Sequence, residues 1–142
     1  MTYVTKNEKE TEKLGFSVAK RLDEDGIGSA FIAMRGEMGV GKTVFTRGFA
    51  SYFGISGVKS PTYTVVNEHR GQKNLYHFDL YRITDSQDLV SVGYDDYLLK
   101  DGYKIVEWSE NAEDEDIPSD AIYVTISRAE DDENARVIEI TY

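Results

Sequence analysis

The sequence contains no cysteine. Disulfides, thiolate catalysis and cysteine-based zinc sites are therefore excluded, and the composition suits the reducing cytoplasm. Histidine is nearly as scarce: His69 and His77 are the two present, too few for a histidine-rich metal site. Basic charge is in deficit, with 16 Lys and Arg against 26 Asp and Glu and a net charge of -10. Binding to nucleic acid is driven largely by cations that neutralise phosphates. With no basic cluster, a stand-alone grip on RNA or DNA is not expected. The acid either steers the chain towards a basic partner or serves only to keep it in solution. No run is long and apolar enough to span a bilayer. The polar, mixed-charge start MTYVTKNEKETEK is unlike a secretory signal.

What is present fits one soluble globular domain over residues 1–142, with 40% apolar residues and room for a single core. Thr5 to Leu22 reads as a first helix, because Leu14, Val18 and Leu22 recur at the spacing of one helical face. Asn7 or Thr5 is the candidate cap. Ala30 to Met34 is a short continuous apolar run, the pattern of a strand covered on both faces. Val44, Phe45, Phe49, Tyr52 and Phe53 then return to helical spacing, and Gly54 is the stop. TYTVVNEHR and NLYHFDLYR flank the turn RGQK and predict a β-hairpin. DSQDLVSVGYDDYLLKDG reads as one or two short helices, YKIVEW as a buried strand and SENAEDEDIPSD as an acidic loop. AIYVTIS and RVIEITY alternate and predict a final antiparallel pair. The fold class expected is α/β: a mixed sheet with a parallel centre, antiparallel hairpins and flanking helices.

Between the first strand and the second helix lies RGEMGVGKTVF. Gly36 to Thr43 fits G-x-x-x-x-G-K-[ST] at every fixed position. The strand before it and the helix after it are the context that this phosphate-binding signature requires. Glycines let backbone N–H groups crowd a polyphosphate with no Cβ in the way, and the helix points its positive end at the same anion. Glu37, Met38, Gly39, Val40 and Gly41 form the loop. Lys42 has the reach for the β- and γ-phosphates, and the Thr43 hydroxyl is a ligand for Mg²⁺. The expected cargo is a Mg²⁺-nucleoside triphosphate. The guanine-specific segment [NT]-K-x-D is missing, which favours ATP. Such sites take an acid from a second strand. Asp79 ends YHFD and Glu107 ends YKIVE; both are candidates, and the alternative for each is an ordinary strand-end charge. Trp108, the only tryptophan, packs in the core or lies near the nucleotide, and pattern alone favours the core.

In order, GEMGVGKT, SPTYTVVNE, LYHFDLYR, VGYDDYL and IVEW, preceded by T-x-x-L-G at Thr11–Gly15, run from about residue 11 to 108. In this order and spacing they resemble the TsaE family, small P-loop ATPases of tRNA threonylcarbamoyladenosine biosynthesis. The resemblance implies an ATPase that works with two partners, a metalloenzyme that transfers the threonylcarbamoyl group and its pseudo-enzyme companion. Their joint product is a modified adenosine next to the anticodon, with tRNA held through the complex. By resemblance, Thr43 and Glu107 hold Mg²⁺, Asp79 assists at the metal or water, and Thr11 lies by the nucleotide. Ser60, Pro61 and Thr62 become a switch-like segment near the γ-phosphate; without the resemblance they read as a strand-entry turn. Ser109 departs from the Pro or Ala that family members often carry after Glu-Trp. A small-molecule kinase is the competing reading, but Arg70, Arg82, Arg128 and Arg136 are scattered in sequence and form no lid-like cluster. A non-hydrolysing binding module is a third, opposed by Lys42, Thr43 and Glu107 being present together.

Overall fold

The computed structural model describes residues 1–61 and 65–142. Seven strands form one sheet in the order β1-β7-β6-β2-β5-β4-β3. They are β1 (Thr2–Thr5), β2 (Ala30–Arg35), β3 (Val66–His69), β4 (Leu75–Asp79), β5 (Tyr103–Glu107), β6 (Ile122–Arg128) and β7 (Arg136–Thr141). The centre is parallel, with β4, β5, β2 and β6 running the same way. The flanks are antiparallel: β3 on β4, and the β6–β7 hairpin with β1 on its outer edge. The apolar runs fall on the parallel strands, as burial on both faces demands; all five residues of β5 are buried.

Each face has its own helices. On one side lie α1 (Glu8–Glu24) and α2 (Lys42–Tyr52). Val18, Leu22, Phe45 and Phe49 pack there against Ile32, Met34, Leu75, Tyr103, Ile105 and Val124. On the other side α3 (Ser86–Ser91) and α4 (Tyr94–Leu98) bring Leu89 and Tyr94 onto Phe31, Ala33, Phe78 and Val106. Tyr94 sets its ring edge-on to both Phe31 and Phe78. Burial and the nearby Asp116 and Asp95 push its phenol well above the ordinary tyrosine range.

The N-terminus differs from the sequence expectation. Residues 2–5 form an edge strand, and the helix starts at Glu8. Asn7 is the cap, its side chain accepting the Glu10 N–H at 3.0 Å. Thr5 is not a cap; its hydroxyl is buried against the Thr11 hydroxyl at 2.7 Å. Pairing with β7 outweighs helix formation there, because residues 2–5 precede the cap and have no helical turn to join. The expected hairpin, paired short helices, buried β5 and final antiparallel pair are all present. The acidic loop carries two single 3-10 turns, Ser109–Asn111 and Asp114–Asp116. Of the expected strand before Val66, Thr62, Tyr63 and Thr64 lie outside the described residues.

Two glycines set how closely α1 and α2 approach. A Cβ on Gly48 would stand 1.9 Å from the Glu12 carbonyl oxygen, and one on Gly15 would stand 2.1 Å from that of Phe45. Both obstacles are helix backbone, which yields little. Gly48→Ala is expected to lower stability by about 1–3 kcal/mol despite the better helix propensity of alanine. Urea denaturation checks this; a midpoint equal to or above that of the parent would show that the helices do not pack this closely.

Candidate functional site

The site lies at the carboxyl ends of the parallel strands, where open α/β sheets place their ligands. The glycine-rich loop leaves β2 at Gly36 and enters α2 through Gly41. Gly36, Gly39 and Gly41 have φ of 150°, 78° and 114°, in the range that favours glycine. A Cβ on Gly36 would also meet the Ile126 carbonyl oxygen at 2.5 Å. Helix α2 begins with no side-chain cap and no acid in its first turn. Its leading N–H groups and positive dipole end are therefore open to an anion.

A cleft of about 440 Å³ opens beside this helix end. Gly39, Gly41, Lys42 and Thr43 form one wall; Ser60, Asp79, Tyr81, Arg82, Glu107 and Trp108 form the other. Lys42 is buried, its ammonium donating to the Gly36 carbonyl and lying 3.8 Å from the centre of the Trp108 ring. Burial lowers its pKa from the ordinary lysine value, while the carboxylates of Glu107, Glu110 and Asp79 pull it back up.

Glu107 is 3% exposed, and its carboxylate has two partners. The Thr43 hydroxyl donates to it at 3.2–3.3 Å, and His77 Nε2 meets Oε2. His77 is fully buried, and its Nδ1 has no partner among the described residues. Asp79 lies opposite Glu107 in the β4–β5 register. Its two oxygens accept the Ser60 hydroxyl at 3.0 Å and the Tyr81 N–H at 2.9 Å. Among the described residues no three or more His, Cys, Asp or Glu gather to hold a metal on their own. Mg²⁺ needs no such cage, since it takes one or two protein carboxylates and completes its shell with water and phosphate oxygens. The oxygen donors of Thr43 and Glu107 fit it on that account.

Most of the residues expected at the site are gathered here. Lys42, Thr43, Asp79, Glu107, Met38, Gly39, Gly41 and Trp108 all line the cleft. Trp108 is only half-buried, at φ 58° just past the end of β5, with Tyr81 beside it at 5.0 Å between ring centres. It therefore stands at the cradle rather than deep in the core. Thr11 lines a smaller recess on the α1 side of Gly39–Gly41, with Val40 and Arg136. The Val40 side chain is core, so only its backbone is available to a ligand. Glu37 turns outward to Arg128 at 3.3 Å. Thr62 lies outside the described residues. Sequence reasoning missed His77, which stands two residues before Asp79 and hence on the same strand face. It also missed Arg128 and Arg136, which the hairpin brings to the loop.

The fold and site define an α/β protein with a mixed seven-stranded sheet and a glycine-rich loop opening a helix at its parallel centre. The family model described as "Threonylcarbamoyl adenosine biosynthesis protein TsaE" matches residues 5–138, and the chain belongs to the TsaE family. It is 42% identical over 114 residues to the tRNA threonylcarbamoyladenosine biosynthesis protein TsaE of Bacillus subtilis, covering 78% of this chain and 67% of that protein. It is 40% identical over 112 residues to the protein of the same name from Haemophilus influenzae, covering 78% and 70%. The crystal structure of YdiB from Bacillus subtilis superposes with a TM-score of 0.75 at 28% identity, over 97% of this chain and 82% of that one.

His77→Leu removes one of the two partners of a buried carboxylate and is expected to cost about 1–3 kcal/mol. A double-mutant cycle with Glu107→Gln in urea should show coupling of at least about 0.5 kcal/mol. Strict additivity would mean that the two side chains do not support each other.

Proposed function

We propose that the chain is a Mg²⁺-dependent ATPase of the P-loop NTPase type, a single domain over residues 1–142, acting in tRNA threonylcarbamoylation. The carrying observation is that Lys42, Thr43 and the buried Glu107 converge on the uncapped start of α2. When bound, Mg-ATP would supply the phosphoryl group, and its cation would offset phosphate charge. Lys42 neutralises phosphate charge, and the N–H groups of the loop and the first turn of α2 donate to phosphate oxygens. The Thr43 hydroxyl and the Glu107 carboxylate would hold the cation. Asp79, at the neighbouring strand end, would orient water there. Tyr81 and Trp108 limit solvent at the mouth of the cleft.

The names of the relatives support the pathway. The site's groups suit a triphosphate, whose hydrolysis to ADP and phosphate would drive work on partner proteins. We assign those partners as the threonylcarbamoyl-transferring metalloenzyme and its pseudo-enzyme companion, in the cytoplasm. The charge of -10 supports leaving the tRNA to them. Among the described residues no helix is long and apolar enough to cross a membrane. A small-molecule kinase would use arginines in a lid over the phosphates, whereas Arg128 and Arg136 are bonded to loop carbonyls.

Lys42→Ala is expected to abolish ATP turnover in a protein that still folds. Glu107→Gln should keep nucleotide and lose more than about tenfold in turnover, a barrier change above about 1.36 kcal/mol. Phosphate release from labelled ATP reads both; parent-level hydrolysis by folded Lys42→Ala would remove the ATPase reading. If Asp79→Asn proves the more damaging of the two acid changes, Glu107 is not the principal metal-side acid.

The isolated chain is expected to be slow and to be accelerated by its partners. A missing arginine finger costs about 10³–10⁵ in rate, and among the described residues Arg82 is the only arginine that lines the cleft. Steady-state phosphate release at saturating Mg-ATP, with and without the partner complex, is the measurement. Equal rates would sink activation in trans; a fast isolated enzyme that Arg82→Ala slows would make Arg82 an internal finger.

A further inference from the structure

The C-terminal hairpin places two arginines directly opposite one another, Arg128 on β6 and Arg136 on β7. Like charges across an antiparallel pair are unfavourable, so each needs an acceptor. Both find one in the glycine-rich loop. Arg136 Nε donates to the Val40 carbonyl at 2.8 Å, while its Nη1 is fixed by the carbonyls of Glu133 at 2.7 Å and Ala135 at 2.9 Å. Arg128 donates to the Met38 carbonyl at 3.4 Å and to the Glu37 carboxylate at 3.3 Å. A Cβ on Gly39 would come 3.4 Å from the Arg128 guanidinium.

We infer that Arg136, assisted by Arg128, is a positioning residue that presets the loop for an anion by fixing its carbonyls on the hairpin side. A trans peptide is planar, so the carbonyl of one residue and the N–H of the next point in opposite directions. Holding the Val40 carbonyl towards Arg136 turns the Gly41 N–H away from the hairpin. Holding the Met38 carbonyl towards Arg128 does the same for the Gly39 N–H. Gly39 and Gly41 both line the 440 Å³ cleft, and neither arginine does. The arginines therefore act through the backbone and not by touching the phosphates. Glycine makes the loop able to take its conformation but equally able to leave it; the two guanidinium groups select one arrangement. The role deepens the nucleotide-binding reading above and rests on it.

The test compares Arg136→Ala, Arg136→Gln and Arg136→Lys in the full chain. Titration calorimetry with Mg-ADP and a non-hydrolysable Mg-ATP analogue reads affinity, and urea denaturation reads the fold. Affinity in Arg136→Ala should fall about tenfold or more, the scale of a lost hydrogen bond to a charged donor. Gln, which keeps an N–H donor without the charge, should recover most of it. Unchanged affinity overturns the inference. So does recovery by Lys but not by Gln, which would mean that charge acts on the phosphate directly. If Arg136→Ala does not fold, the Gln and Lys comparison carries the decision. Amide exchange at Gly39 and Gly41 in the nucleotide-free protein separates the two levels of the argument. Faster exchange in Arg136→Ala upholds the presetting even if the parent binds no nucleotide, an outcome that removes only the functional reading. Equal exchange overturns the presetting itself.

Discussion

Glu107 is a carboxylate with 3% of its surface in contact with solvent. A charge so placed is costly unless other groups replace water around it. Two do, and they come from different elements: Thr43 from the first turn of α2 and His77 from β4. The carboxylate thereby ties the helix to the two strands at one point. That point also decides where the loop ends, since Lys42 and Thr43 are adjacent and the loop closes at Gly41. The neighbouring strand ends follow from parallel register, which brings Asp79 level with Glu107. An acid on a parallel interior strand is costly for the core and is placed at its end for that reason.

The electrostatics of the site run against those of the whole. The chain is acidic, yet the loop is approached by Lys42 from within and by Arg128 and Arg136 from the hairpin. Coulomb attraction is strongest where water is least, so the buried Lys42 counts for more at the loop than a solvated acid elsewhere. The acidic stretch 109–120 follows Trp108 immediately. Its Glu110 carboxylate accepts the Gly36 N–H at 3.4 Å, so part of the acid belongs to the loop's own hydrogen bonding.

Local features of the fold were legible because their patterns are local. The β2 apolar run, the helical spacing of Phe45 and Phe49, and the alternation of the last two strands each declare an element within a few residues. The glycine-rich loop was legible for the same reason, its spacing being the geometry. Residues 2–5 were not, because four residues of mixed polarity become a strand only when β7 lies beside them. His77 was hidden differently. Its burial depends on β3 and β5 flanking β4, and its contact with Glu107 depends on register 30 residues away. Arg128 and Arg136 looked scattered because a hairpin pairs positions eight apart that the linear spacing does not relate. Trp108 was ambiguous since an apolar run predicts burial up to its last residue, and the left-handed turn at that residue is what swings the ring to the cleft.

The two walls of the cleft are held by different physics. The loop wall is fixed by core and backbone: Val40 in the α1–α2 core, Gly36 against the Ile126 carbonyl, and helix α2 locked to α1 through Gly48. Shifting it means moving packed backbone, and dense interiors resist that. The opposite wall carries Ser60 and Tyr81 on segments outside the strands, and each has a hydrogen bond to Asp79. Net worth per such bond is about 0.5–1.5 kcal/mol, within reach of the differential contacts a ligand or partner supplies. Asp79 is thus a strand-end residue to which both segments are tied, and its two oxygens are shared between them. A group that draws on either oxygen competes with the Ser60 hydroxyl or the Tyr81 N–H. Events at the strand end are in this way coupled to the surface segments by the limited number of lone pairs on a single carboxylate.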